Sequence, residues 1–163
     1  MNLFLPSPSI KESVIALDDK RVNKMILETA QLLSTAIRIL DPETQLTIYK
    51  ITHKNHPVSI WVRSSIDNYI YALNYFKTIS DEYTYRTGKV HKSSLLYPTF
   101  FEFITSNVGV ITLNKGLTPF ANCTEFKDDE VHTAYKKTLE AKWMRDKLIP
   151  KWTNRSRPTW NVL

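Results

Sequence analysis

Between Asp19 and Leu40, Val22, Met25, Ile26, Thr29, Leu33, Ala36, Ile37 and Leu40 recur at spacings of three and four. That pattern is one stripe of a 3.6-residue period, so the stretch is expected to be a helix burying one face. A second stripe, Ile60, Trp61, Ser64, Ile66, Tyr69, Ile70, Leu73, Phe76 and Ile79, predicts another long helix from His56-Pro57 to about Arg86. The chain has only three glycines, Gly88, Gly109 and Gly116. Tight two-residue hairpins usually need glycine or asparagine at positive φ, so helices are favoured over a hairpin-built sheet.

The expected architecture is all-α, one domain over 1–163, with about four to five helices, irregular loops and a basic aromatic C-terminal tail. Ser7 or Ser9 suits the N-cap of a short helix toward Leu17, and Asp19 suits the N-cap of the long one. Asp41-Pro42 stops that helix, and Pro57 fits the first turn of the next. Gly88 is placed to end it. A further helix is expected from Ser93 toward Ser106, then an irregular segment from Val108 to Phe126. The last helix should begin near Asp128-Asp129-Glu130, whose acids suit the positive end of a helix, and run to about Leu148 before Pro150.

At 163 residues and 42% hydrophobic, the chain is too apolar for intrinsic disorder. It has no apolar run long enough to span a bilayer, so no membrane association is expected. The start, Met1-Asn2-Leu3-Phe4-Leu5-Pro6, has no basic region before its apolar residues, so a cytoplasmic location is expected, the host cytoplasm if the source is viral. A single cysteine, Cys123, excludes an internal disulfide and a CxxC unit.

The formal charge is +6, and it is concentrated. From Lys136 onward there are eight cations (Lys136, Lys137, Lys142, Arg145, Lys147, Lys151, Arg155, Arg157) against Glu140 and Asp146. Trp143, Trp152 and Trp160 lie among them. Cations interleaved with aromatic faces suit phosphate contact and base stacking, which points to nucleic acid; a solvated helix with tryptophans in the core is the alternative. Lys20, Arg21 and Lys24 join this surface if the fold brings them near the tail.

Glu28 is the acid that stands out, within the apolar stripe, where low polarity would raise its pKa and Lys24, four residues back, would lower it. A plain intrahelical pair with Lys24 is the alternative. His53 and His56 stand three apart in a connection without an HExxH helix, so no metal site is expected there. His56 is better placed to cap backbone groups or to touch phosphate at a helix start, His91 lies between Lys89 and Lys92, and His132 reads as structural. There is no P-loop, GxGxxG, GxSxG or Cys/His dyad.

Asp19-Lys20-Arg21-Val22, with Glu28 nine residues after Asp19, resembles the Asp-Gln-His-Leu stretch and catalytic glutamate of the phage and bacterial pyrimidine-dimer DNA glycosylases of endonuclease V type. Arg157-Pro158-Thr159-Trp160 is similar to the Arg-Pro-Thr-Trp near the C-terminus of the same enzymes. Asn55-His56-Pro57 and the later Arg86-Thr87-Gly88 resemble landmarks of the bacterial members, in the same order.

The resemblance implies an all-α enzyme needing no cofactor, in which an N-terminal amine attacks the sugar C1′ of a damaged nucleotide and forms a Schiff base. Here that amine would belong to Met1, retained because Asn2 is bulky, and Glu28 would be the acid/base. Lys20, Arg21, Lys24, His56, Arg155, Arg157 and Trp160 would contact double-stranded, damaged or modified DNA, the protein acting as a monomer. Two departures stand out: Leu27 replaces the arginine before the glutamate, and Arg21 the histidine after the Asp-Gln pair. A non-catalytic DNA-binding protein on the same frame, or a phage base-modifying or nucleotide-processing enzyme, is the alternative.

Overall fold

The stripe from Val22 to Ile37 becomes the buried face of a 22-residue helix, α2 (Asp19–Leu40). The structure is a computed structural model that describes residues 2–107, 114 and 116–160. Six α-helices and one 3₁₀ turn occur among them: α1 (Ile10–Ala16), α2, α3 (Pro57–Val62), α4 (Ile66–Thr87), the 3₁₀ turn (Lys92–Leu96), α5 (Tyr97–Asn107) and α6 (Val131–Arg145). No strand appears among the described residues, only an isolated bridge between Ser65 and Asn114. The all-α expectation is met.

The helix count exceeds four to five because the second stripe is two helices. Ser64 Oγ donates to the Trp61 carbonyl, ending α3, and Ser65 opens α4 by accepting from the Asn68 amide at 3.0 Å. The break shifts the helical phase, which leaves Ile60 and Ile70 exposed instead of continuing the stripe. Gly88 ends α4 at φ 69°, a left-handed conformation in which its amide returns to the Thr84 carbonyl.

Other boundaries follow from side chains. Ser9 caps α1. The N-cap of α2 is Asp18, not Asp19, and its carboxylate faces Arg21 and Trp143 instead of the helix amides. α6 begins after Glu130, which accepts from the His132 and Thr133 amides, and stops at Arg145, short of Leu148.

α2 and α4 form the central pair, with α1 and α5 against α4. One apolar cluster joins them with the N-terminal segment, where Leu3, Phe4 and Leu5 are all buried. That segment is clamped from two sides: Tyr75 of α4 donates to the Phe4 carbonyl, and His132 of α6 lies 2.7 Å from the Leu5 carbonyl. Burying three apolar residues at the start of the chain stabilises by several kcal/mol, about 1.5–3 kcal/mol each. It also fixes where residue 2 emerges. No helix among the described residues is long and apolar enough to cross a membrane.

Candidate functional site

The fixed N-terminal segment delivers Asn2 to a groove of about 570 Å3 between the first half of α2 and the last turns of α6. Asn2 Oδ1 is held by its neighbour's amide, Leu3 N, at 2.9 Å and by the Tyr135 hydroxyl at 2.8 Å. Glu28 lines the same groove, three turns along α2, beside Lys20, Arg21 and Lys24. Met1 lies outside the described residues.

Glu28 is not an isolated acid. Its carboxylate lies 3.3 Å from Lys24 Nζ, and its side chain is only 15% exposed while Lys24 is 66% exposed. The pair is intrahelical, but the acid end is sheltered and the ammonium end is in solvent. His56, at the start of α3, lies within the reach of that charge: burial pushes its imidazole below the ordinary histidine value, and Glu28 partly offsets this. His56 Nδ1 accepts from the Val58 amide, so its first role is the expected cap.

The opposite wall comes from α6, which sequence reasoning left out of the site: Thr138, Lys142, Arg145 and the C-cap Asp146. Cys123 and Thr124 close one end. Lys142 had registered only as part of a charged tail, and nothing in the sequence marks a helix more than 100 residues away as the partner face of α2. Among the described residues Lys142 has no ion pair.

Asp146 joins the walls. Its carboxylate accepts from Lys20 Nζ at 2.7 Å and from Arg21 at 2.8 Å. The Lys20 and Arg21 bonds outweigh its burial and hold it below the usual carboxylate range. Arg21 also bonds Asp18 at 2.8 Å and is itself buried, whereas Lys20 remains 65% exposed.

A second network fixes the chain after α6. Arg86, 1% exposed, donates to Glu82, Asp19 and the carbonyls of Leu17 and Ile15. Asp19 also accepts from the Thr153 amide and hydroxyl, and Glu82 takes both guanidinium arms of Arg155. Burial works against both acids, but the hydrogen bonds from Thr153 and Arg86 to Asp19, and from Arg155 and Arg86 to Glu82, hold them below their ordinary values. The basic tail is therefore docked, and Arg155 serves in that docking with its guanidinium 4.2 Å over the Tyr85 ring.

Three of the four tryptophans form one stack at the same end. Trp143 is buried, Trp160 stacks on it at 5.6 Å and 24°, and Trp152 meets its edge at 5.0 Å. Arg157 covers the Trp152 and Trp143 rings at 5.6 and 5.8 Å. Arg157 and Trp160 line a separate groove of about 470 Å3 against α1, not the groove holding Glu28. His91 caps the 3₁₀ turn through Nδ1 and meets Tyr83 edge-on.

The helical frame thus brings a sheltered carboxylate, Glu28, and Asn2 into one groove rimmed by Lys20, Lys24 and Lys142. A family model described as pyrimidine dimer DNA glycosylase matches residues 1–95, and the chain belongs to that family. The match covers Asp19 through Glu28, Asn55-His56-Pro57 and Arg86-Thr87-Gly88, while Arg157 to Trp160 lie beyond it. No curated protein and no solved structure matches the chain.

Proposed function

We propose that this protein is a metal-independent DNA glycosylase and abasic-site lyase of the pyrimidine-dimer type, with the Met1 α-amine as nucleophile and Glu28 as acid/base. The observation that carries the reading is the convergence of Asn2 and Glu28 on one groove, because a module that only binds DNA has no reason to bring the chain start to a sheltered carboxylate. An α-amine has a reference pKa of about 8, so roughly a tenth is neutral and nucleophilic at pH 7, far more than for a lysine.

In the proposed course the amine nitrogen bonds to C1′ as the bond to the damaged base breaks, and the departing base takes a proton. Ring opening gives an imine, and loss of a C2′ proton then expels the 3′ phosphate. Glu28 stabilises the positive charge developing on the sugar and carries the protons. Lys20 and Lys24 hold phosphates along the α2 wall, while Arg21, buried against Asp18 and Asp146, supports that wall from behind. His56 stands outside the groove lining but within the field of Glu28, while Arg157 and Trp160 contact DNA farther along.

A second reading, a non-catalytic DNA-binding protein, draws on the Lys24–Glu28 pair, which gives the acid a structural partner. Borohydride trapping separates the two. The protein is incubated in EDTA with duplexes carrying a thymine dimer or an abasic site, then reduced, with Glu28→Gln and an N-terminally blocked form alongside. The enzyme reading predicts a covalent adduct on both duplexes that blocking abolishes, with Glu28→Gln slower by about 10²–10⁴-fold. Salt-sensitive binding without any adduct would leave the binding module.

A further inference from the structure

The turn that follows α6 carries the two most exposed large apolar side chains among the described residues, Leu148 at 82% and Ile149 at 86%, with Met144 at 69% one turn earlier. Single exposed apolar residues are ordinary. This pair differs because the chain on both sides of it is pinned to the same place. Before it, Asp146 is gripped by Lys20 and Arg21 of α2. After it, the Lys151 carbonyl accepts from the Asp19 amide at 2.9 Å, and the Trp152 indole donates to the Ala16 carbonyl. Residues 147–150 thus span two anchors on the α1–α2 corner, and Pro150 restricts the backbone further.

The result is a short, stiff projection with an apolar crown and a lysine at each foot, Lys147 and Lys151, both exposed. A tip already held in place loses little conformational freedom when it is buried, so its exposure in the free protein suits insertion into a partner. Two kinds of surface match apolar residues between cations: a lipid interface and a nucleic-acid duplex. The position decides for the duplex, since Asp146, where the projection begins, lines the same groove as Glu28.

We propose that Leu148 and Ile149 form a wedge that enters the base stack when a DNA duplex lies along the Glu28 groove, with Lys147 and Lys151 against the flanking phosphates. The proposal rests on the DNA-directed reading above for its partner. Apolar side chains placed between base pairs unstack them and kink the duplex, which eases extrusion of a nucleotide toward the groove.

The test uses a duplex with a tetrahydrofuran abasic analogue, which cannot form an imine, and 2-aminopurine as the adjacent base. Fluorescence reports unstacking and anisotropy reports binding, so catalysis enters neither readout. The wild-type protein is expected to raise the fluorescence severalfold at saturation. The Leu148→Ser/Ile149→Ser double variant is expected to lose most of that rise while its affinity changes by less than about tenfold, because phosphate contacts dominate binding. Leu95→Ser, at a comparably exposed site on the 3₁₀ turn, is expected to behave as wild type.

A double variant with the full wild-type signal overturns the wedge, and so does a wild-type protein that binds without any rise. Loss of binding to phosphatidylserine-containing vesicles, with the DNA signal intact, overturns it in favour of a lipid surface. The two readings fail separately: a fluorescence rise without a borohydride adduct refutes the glycosylase and keeps the wedge, whereas an adduct without a rise does the reverse. A wild-type protein that does not bind the duplex overturns both.

Discussion

Arg86→Ala is the substitution whose cost the structure specifies best. The guanidinium is 1% exposed and serves four acceptors on three parts of the chain: Glu82 at 2.7 Å, the Leu17 carbonyl at 2.8 Å, Asp19 at 2.9 Å and the Ile15 carbonyl at 3.0 Å. Truncation strips the two carbonyls of this donor, at about 1–3 kcal/mol for each buried acceptor left unpaired. Breaking a buried ion pair from one side typically costs about 3–5 kcal/mol. These costs overlap, and Arg155 still serves Glu82 while Thr153 still serves Asp19, so the expected total is about 4 kcal/mol. At about 2–4 °C per kcal/mol for a chain of this size, the melting temperature should fall by about 8–16 °C. Arg86→Lys should recover less than half, because one ammonium cannot meet four acceptors arranged around a planar fork. Urea unfolding followed by circular dichroism measures both variants against wild type. A loss below about 1 kcal/mol for Arg86→Ala refutes the reasoning, since the desolvation cost of the guanidinium would then cancel its bonds.

Burial holds His56 and His91 below the ordinary histidine value, and both rings accept from helix-start amides in the neutral form. The unfolded chain therefore binds protons first, and stability should decline as pH falls from about 6.5 through the lower folded values; His56→Asn, which keeps a cap acceptor, should reduce that slope in thermal melts. Asp19, Glu82 and Asp146 have depressed folded values, so their contribution is present above about pH 4.5 and lost below it; Asp146→Asn should make acid unfolding less steep. Thr138→Val should be neutral or stabilising by up to about 1 kcal/mol in urea melts, because the buried hydroxyl has no hydrogen-bond partner among the described residues; a destabilisation of more than about 1 kcal/mol would show that it has one. Lys20→Ala should weaken duplex binding uniformly across sequences and lower the slope of log K against log salt by about 1, measured by anisotropy titrations.

Most of the fold was legible because helical periodicity and capping are local signals. The α2 stripe, the Ser9 cap, Gly88 after α4 and the acidic start of α6 all depend on neighbours within a few residues. The break at 63–65 escaped because it is set from elsewhere: Asn114 pairs with Ser65, and Asn68 reaches the Thr118 hydroxyl at 2.7 Å. A polar pair inside a periodic run reads as one helix until such a distant partner is known. Asp19 failed as the cap for a similar reason, since Arg86 and Thr153, 67 and 134 residues away, engage its carboxylate.

The site was legible as a set of residue types but not as a field. A sequence counts charges without showing which ones neutralise each other. Of the tail cations, Lys137 faces Asp129 at 2.9 Å, Arg145 faces Glu125 at 2.7 Å and Arg155 faces Glu82 at 2.8 Å. Arg157 covers tryptophans that are themselves stacked together. The exposed ammonium groups over the groove belong to Lys20 and Lys24 on α2, each facing one acid, and to Lys142 of the tail cations, on α6. Exposed positive charge therefore lies both at the α2–α6 seam and, through Lys147 and Lys151, on the tail beside it. That seam is also where Asn2 and Glu28 meet, so a phosphate backbone drawn to the exposed lysines would pass over the carboxylate and the chain start together.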